Sequence, residues 1–255
     1  MSRLMIVQPL GIAAATASRG TGVDNLRSVD PKEVWMDSAT GGTVTITVDL
    51  GAAVEIDTIL LGYVRGSVAE STWSITGGLV SADQIAIQPA AALRVQDVPG
   101  SFAAVSHALW TGAAVNVRYL AISLGHPGPA RLSAGVLAIG KAFSPELGQD
   151  WGAGRQPIDT GTATALPSGG FATVEGVVKS GFGCTFSDLS EAETLQLERI
   201  AGGLGTTRPG LLIEDAARTA GLIARIHYGL FAKWKAFERR NRAQTRWDVT
   251  IEQWV

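Results

Sequence analysis

The sequence contains very few of the residues from which disulfides, zinc sites and catalytic dyads are built. Its 255 residues include one cysteine, Cys184, and three histidines, His107, His126 and His227. One thiol cannot close an intramolecular disulfide, and with scattered histidines it does not make the ligand set of a structural zinc site. No histidine has the Gly-x-Ser-x-Gly or Glu-x-x-His context of a catalytic triad or zinc enzyme. We therefore expect the histidines to be structural or on the surface, and Cys184, in a strand-like run ending at Phe186, to be a small buried side chain. We predict a protein that is not an enzyme and has no cofactor or metal.

The sequence also lacks a charge bias and long apolar runs. It has 21 Lys and Arg against 23 Asp and Glu, a net charge of -2, so bulk charge favours neither nucleic acid nor an anionic membrane. No window approaches 18 apolar residues without a charge, and the first residues do not resemble a signal peptide. Hydrophobic residues nevertheless make up 46% of the chain, which argues against disorder. We expect a folded protein suited to a reducing cytoplasm, with no membrane span.

Up to about residue 140, the sequence is a series of short strand patterns. Residues 43–50 alternate polar and apolar side chains with a period of two, which is typical of a half-buried strand. Turns containing Gly or Pro separate the runs, and no convincing amphipathic helix interrupts them. This pattern favours a β-sandwich or barrel over an α/β fold. The other runs lie at residues 55–61, 72–76, 84–88, 115–124 and 135–140.

After residue 141 the sequence changes character, and we place a domain boundary near 141–150. Residues 144–157 and 166–170 are rich in turn-forming residues. A helix is predicted after them, because Ser190 and Glu193 match a capping box, and Gly202-Gly203 would end it. A strand pair is predicted at 171–186, with further strands at 210–214, 222–228 and 246–255. The predicted domains are therefore 1–140, which is purely β, and 141–255, which is α+β.

Residues 225–246 form a basic stretch with interleaved aromatic side chains. Seven basic residues accompany one acid, Glu238. Such a stretch can bind single-stranded nucleic acid by phosphate contacts and base stacking, or it can be a solvated face. We favour a strand-loop-strand segment whose aromatic residues pack inward while its cations meet acids of a neighbouring subunit. The predicted interface residues are Arg225, Lys233, Lys235, Arg239, Arg240 and Arg242.

Tryptophans in or near predicted loops of the first half give a second candidate site. Sugar rings stack on such side chains because their C–H faces are apolar, but tryptophan also anchors sandwich cores. Trp35 and Trp110 are the candidate carbohydrate contacts. Carboxylate pairs drawn from Asp24, Asp30 and Asp37, or from Glu214 and Asp215, leave glycosidase chemistry as an alternative.

Residues 12–140 resemble the galactose-binding-like (discoidin, or coagulation factor 5/8 C-type) family. The resemblance rests on residues 17–26, Trp35, the Asp49-Leu50-Gly51 turn with its flanking strands, and residues 117–122. It implies a jelly-roll β-sandwich that could bind a host-surface glycan.

Residues 171–255 resemble the distal tail and minor tail proteins found at the tail tip or baseplate of siphophage-like tailed bacteriophages. The matching segments are 184–193, 211–215, 225–229 and 246–254. The resemblance implies a tail-tube-like β-barrel domain flanked by one helix. It also implies a homo-oligomeric ring, a hexamer, that joins the tail tube protein to the baseplate hub or other tail-tip proteins.

Together these observations predict a mainly β structural protein of the virion tail tip, assembled in the bacterial cytoplasm. The alternative is a carbohydrate-binding module or glycan-processing accessory protein, in which the first half does the binding and the second half is a scaffold. A mass measurement on the purified protein would separate a ring from a monomeric module.

Overall fold

A computed structural model describes residues 4–97, 104–241 and 244–254. For Asp83 and Lys233 it describes the backbone but not the side chain. Arg242, one of the predicted interface residues, lies outside this part of the chain, as does the side chain of Lys233. The described chain is mainly β, as predicted, and its sheets are antiparallel. It divides into two compact units, a first unit of Ser2–Ser144 with Ile213–Ile226 and a second unit of Pro145–Leu212 with His227–Val255.

The predicted second domain is continuous in sequence, whereas the second unit is not. Residues 213–226 belong to the first unit, where backbone hydrogen bonds hold them. The Gly221 N–H donates to the Asp97 carbonyl at 3.1 Å, and the Ile223 N–H donates to the Gln96 carbonyl at 3.2 Å. These bonds join segments more than 100 residues apart, so local sequence patterns do not indicate them.

The first unit is built around two long bent strands that pair with each other. The main sheet has the order β2-β3-β6-β4-β5, β7 also pairs with β3, and β1 pairs with β8. The strands are β1 (Met5–Val7), β2 (Ala14–Ala17), β3 (Trp35–Arg65), β4 (Thr72–Val80), β5 (Asp83–Ala92), β6 (Val105–Ala134), β7 (Val136–Gly140) and β8 (Ala142–Phe143). A short 3₁₀ helix spans Val23–Arg27.

Alternation along β3 produces the core of the first unit. Val44, Ile46 and Val48 are buried, while Thr45 faces outward and its hydroxyl lies 3.1 Å from that of Ser123. The predicted runs 43–50 and 55–61 are parts of this one strand. They are joined through Gly51, whose positive φ and N–H bond to the Asp49 carboxylate let the chain bend without leaving the sheet.

The second unit contains one antiparallel sheet, a separate hairpin and a helix. Its sheet has the order β13-β14-β16-β12-β9, with β15 on β16, and β10 pairs with β11. Its elements are β9 (Gly154–Asp159), β10 (Thr162–Ala165), β11 (Phe171–Val174), β12 (Val178–Leu189), α1 (Glu191–Leu204), β13 (Gly210–Ile213), β14 (Ile226–Trp234), β15 (Glu238–Arg239) and β16 (Thr245–Gln253). Ile213 and Ile226, at the ends of β13 and β14, fall in the first unit.

The predicted helix start is confirmed, but its predicted end is wrong. The Ser190 hydroxyl accepts from the Glu193 N–H, and the Glu193 carboxylate accepts from the Ser190 N–H, so the capping box is complete. The helix continues through Gly202-Gly203 to Leu204. Burial of Leu204 and the Gly205 N–H bond to the Ala201 carbonyl stabilise the last turn, and a glycine inside a helix costs only about 1 kcal/mol.

Three other sequence predictions in the second half are corrected by long-range pairing. Residues 171–186 do not form a strand pair, because β11 pairs with β10 while β12 pairs with β9 and β16. Residues 222–225 form a 3₁₀ helix ahead of β14. The turn-rich stretch 144–157 contains the start of β9, which is exposed and has no apolar face that would mark it as a strand.

None of the helices in the described ranges has the length and apolar character needed to cross a bilayer.

Candidate functional site

The two tryptophans predicted as carbohydrate contacts lie in the core of the first unit. Trp35 is 0% exposed and Trp110 is 9% exposed, so neither presents a ring face on which a sugar could stack. Both pack in the hydrophobic core with side chains of β3 and β6. The prediction that they contact a glycan is therefore corrected, and the core alternative describes their position.

The predicted interface residues separate into paired and exposed groups. Arg225 lies 3.4 Å from the buried Glu214, and Lys235 lies 2.8 Å from Asp248, so both are engaged within the chain. Arg239 and Arg240 are exposed on and beside β15.

The aromatic side chains of the basic stretch largely pack inward. Tyr228 and Phe231 are buried, and Trp234 stacks on Phe231 at 4.5 Å between ring centroids. Lys235 is exposed although it is paired with Asp248, so the exposed cations of the predicted interface in the described ranges are Lys235, Arg239 and Arg240.

The acidic candidates are also engaged within the chain. The Asp37 side chain is 1% exposed and lies 2.8 Å from Arg19. Asp24 lies 3.1 Å from Arg27, and Asp215 lies 3.7 Å from Arg218. Arginines thus bind these predicted acids.

The thiol and the histidines are buried, and one histidine contacts a serine. Cys184, His107, His126 and His227 are all at most 6% exposed. The Ser71 hydroxyl lies 2.9 Å from His126 Nδ1, while His126 Nε2 lies 2.8 Å from the Ala130 carbonyl. The buried Ser71 hydroxyl also accepts from the Val68 N–H, so this pair joins the loop at 66–71 to β6. No group of three or more metal-ligating side chains comes together in the described ranges.

At one end of the first unit, two loops and the irregularly paired ends of β3 and β6 are tied together by polar contacts, and we call this region the loop end. It comprises residues 18–22, 37–42, 66–71 and 126–131. The Arg19 guanidinium binds both Asp37 and the Gly41 carbonyl, at 2.8 and 2.6 Å. Ser71 and His126 join the other two segments. Such contacts pre-organise loops, which reduces the conformational entropy lost when a ligand binds.

The loop end presents polar side chains to solvent. Thr40 pairs with Arg131 across β3 and β6, and both are exposed, as are Ser38 and Glu70. These side chains offer hydroxyl, carboxylate and guanidinium groups from a fixed backbone, which are the donors and acceptors that bind a hydroxyl-rich ligand. The local sequence does not mark these residues as a site, because exposed polar residues of this kind are common. Only the pairing of distant segments brings them together.

A second surface feature is the projecting hairpin formed by β10 and β11. Phe171 is 71% exposed and Val174 is 69% exposed, and every side chain of the two strands is exposed. Residues 160–178 contain a single charged side chain, Glu175. At the base of the hairpin, a Cβ on Gly176 would lie only 2.0 Å from the Gly161 nitrogen. The two backbone segments can therefore approach this closely only because residue 176 is glycine.

Comparisons with known proteins give matches at the level of structure. No family model matches the chain, and no curated protein matches its sequence. It is similar to the CBM32 of AlyQ in complex with 4,5-unsaturated mannuronic acid, with 21% identity over 52% of this chain and 97% of that chain and a TM-score of 0.39. It is also similar to chitosan-binding module 1 from a chitosanase/glucanase of Paenibacillus sp. IK-5, with 15% identity over 51% of this chain and 96% of that chain and a TM-score of 0.40.

A third similar structure is CBM32-3 from a family 31 glycoside hydrolase of Clostridium perfringens. The identity is 19% over 51% of this chain and 91% of that chain, and the TM-score is 0.41. Each of these three similarities extends over about half of this chain. The resemblance of the second half to tail-tip proteins stays a prediction.

Proposed function

We propose that this chain is a non-catalytic saccharide-binding protein and that the loop end of the first unit contains its binding site. The observation that carries the proposal is the pre-organisation of the loop end, where the Arg19–Asp37 and Ser71–His126 contacts fix the segments that display Thr40, Glu70 and Arg131. Among the structures named above, the CBM32 of AlyQ is in complex with 4,5-unsaturated mannuronic acid, and the Paenibacillus module is a chitosan-binding module.

A binding role agrees better than a catalytic role with the chemistry of the described residues. The thiol, the histidines and Ser71 are buried, and Asp37 and Glu214 are each paired with an arginine. An acid or base acting on substrate has to reach the proton it transfers, and these groups do not face solvent.

Paired charge removal in the full-length chain tests the proposed site. Changing Glu70→Ala together with Arg131→Ala is expected to weaken binding to a saccharide identified on a glycan array by about a hundredfold or more, since each of the two lost hydrogen bonds to a charged group contributes about 1.5–3 kcal/mol. The matched control is Glu55→Ala with Lys141→Ala, which removes an exposed acid–base pair outside the loop end. Calorimetric titration measures the affinities.

Undiminished binding in the Glu70/Arg131 variant, or no binding of the wild-type chain to any arrayed saccharide, would refute the proposal. An equal loss in the Glu55/Lys141 control would also contradict it, because the effect would then not be specific to the loop end.

A second candidate function, a ring component of a bacteriophage tail tip, is favoured by the projecting hairpin. An uncharged hairpin with exposed Phe171 and Val174 is the kind of apolar surface that another chain covers. In this proposal, copies of the chain form a hexameric ring in the virion, bound by the tail tube protein and the baseplate hub, and the first unit faces a host-surface glycan. The two candidates are compatible, and the mass of the purified full-length protein tests the second.

A further inference from the structure

The second unit carries a polar groove beside an entirely exposed tryptophan ring. The relative exposure of Trp151 is 104%. The groove next to it has a volume of about 470 Å³ and is lined by parts of β9, β12 and β16. This volume lies within the range of small-molecule sites, roughly 300–1,000 Å³. Trp151 is absent from the set of candidate residues obtained from the sequence, and the groove is in the opposite unit from the loop end.

The turn that presents Trp151 is anchored even though its ring is not. The Asp150 N–H donates to the Thr185 carbonyl at 2.8 Å, and the Ser187 hydroxyl donates to the Asp150 carboxylate. These bonds fix the residue directly before Trp151 against β12. A large apolar ring presented to water by an anchored turn is the kind of exposed apolar surface that a partner covers.

Beside the ring, the groove contains an acid and a base that bind each other. Lys235 Nζ donates to Asp248 Oδ2 at 2.8 Å, and the Thr185 hydroxyl donates to Asp248 Oδ1 at 2.8 Å. Each carboxylate oxygen can still accept a further hydrogen bond, and the ammonium group has two more protons to donate. The hydrogen bond from Lys235 lowers the pKa of Asp248, with Thr185 adding to the effect, so the carboxylate stays ionised and able to accept.

From this geometry we propose that the groove binds a neutral oligosaccharide, with Trp151 stacked on the C–H face of one sugar ring. Adjacent hydroxyl groups on a pyranose match the adjacent acceptor and donor, because one hydroxyl donates to Asp248 while its neighbour accepts from Lys235. Lys235 and Arg246, whose Nε lies 3.5 Å from Asp248 Oδ1, are both engaged with this carboxylate, and Arg155 also lines the groove. The carboxylate among these cations is an acceptor that a neutral sugar hydroxyl can use and an anionic group cannot. Thr250, which also lines the groove, adds a hydroxyl that can donate or accept.

Single-stranded nucleic acid is the other polymer that stacks on tryptophan, and the groove fits it less well. Such binding uses a cationic track along the backbone with successive aromatic platforms. Here one exposed ring stands beside a carboxylate, which repels phosphate groups, and both Lys235 and Arg246 are engaged with that carboxylate. The two ligands differ in salt dependence, because release of counterions makes nucleic-acid binding fall steeply with salt.

The test uses the full-length chain on an array of neutral gluco-, galacto-, manno- and N-acetylglucosamine oligosaccharides, followed by calorimetric titration of the tightest binder. Trp151→Ala is expected to reduce its affinity at least tenfold, and Trp151→Phe to reduce it less, because a ring face remains. Asp248→Asn is also expected to weaken binding. The matched control is Phe171→Ala, which removes another exposed ring of the same unit. Affinity should change little as salt is raised.

The outcomes separate this site from the loop end. Binding that is lost in the Glu70/Arg131 variant but unchanged in Trp151→Ala would overturn the groove proposal and leave the loop end supported. Binding that is lost in Trp151→Ala but unchanged in the Glu70/Arg131 variant would do the reverse. No binding to any neutral oligosaccharide, or salt-sensitive binding of an oligonucleotide that requires Trp151, would overturn the groove proposal.

Discussion

At the scale of single residues, His107 shows how burial changes the chemistry of a side chain. It is 4% exposed, its Nδ1 accepts from the Tyr63 N–H at 3.1 Å, and its ring meets the Tyr63 ring edge-on. Burial lowers the pKa of His107 to about 4. Protonation would place an N–H where Nδ1 now accepts, so the neutral ring is the form that fits this site.

This lowered pKa predicts that the protein loses stability on acidification. Below about pH 6.5 an unfolded chain protonates His107 while the folded chain does not, so the free energy of unfolding should fall as the pH drops toward 4, by about 3 kcal/mol in total. Chemical denaturation at several pH values measures this. In His107→Gln, which keeps an acceptor for Tyr63, the fall over this range should be smaller by that amount, and a parallel decline in both proteins would contradict the prediction.

At the scale of elements, the helix α1 depends on its first turn. Partial burial on its own would raise the pKa of Glu193, but hydrogen bonds from Ser190 and the Glu146 N–H outweigh it and lower the pKa. The Glu146 N–H donates to the Glu193 carboxylate at 2.7 Å. Glu193 of the capping box thus also binds residue 146 to the helix. Leu197, Ile200 and Leu204 form the buried face of α1.

Removing the cap should destabilise the second unit measurably. Ser190→Ala loses the acceptor for the Glu193 N–H and is expected to lower the free energy of unfolding by about 1 kcal/mol. Ser168→Ala, at an exposed position between β10 and β11, is the control and should change it little. Urea denaturation of the two variants gives the comparison, and equal midpoints would show that the cap contributes nothing.

At the scale of the whole molecule, exposed features of the second unit bear on assembly. The hairpin leaves its apolar side chains in water, and an isolated two-stranded hairpin is only marginally stable. Burial of Phe171 and Val174 against another copy would remove that cost. A head-to-tail contact repeated by rotation must close into a ring or extend into a filament.

The ring proposal predicts a hexamer for the full-length chain in light scattering. Phe171→Ser with Val174→Ser should shift it toward the monomer, and reversal of Arg239 and Arg240 to Glu should weaken it. The control is Leu79→Ser, which changes an exposed apolar side chain of the first unit. A monodisperse monomer at high wild-type concentration would refute the ring.

The sequence by itself determined the elements whose signals are local. Alternation identified the half-buried run 43–50 of β3, the apolar stretch 135–140 contains the buried β7, and Ser190 with Glu193 located the start of α1. The buried character of Cys184 followed from its place in a strand-like run. In each case the residues that cause the structure are within a few positions of one another, so periodicity and capping chemistry are sufficient.

Only the tertiary structure decided which side chains form sites. Trp35 and Trp110 are sandwich anchors and Trp151 is an exposed ring, although all three are tryptophans near turns, because exposure depends on strands far away in sequence. Long-range pairing likewise placed residues 213–226 in the first unit and gave Arg225 and Lys235 partners within the chain. Contacts between distant segments set burial and charge pairing, and local patterns do not contain that information.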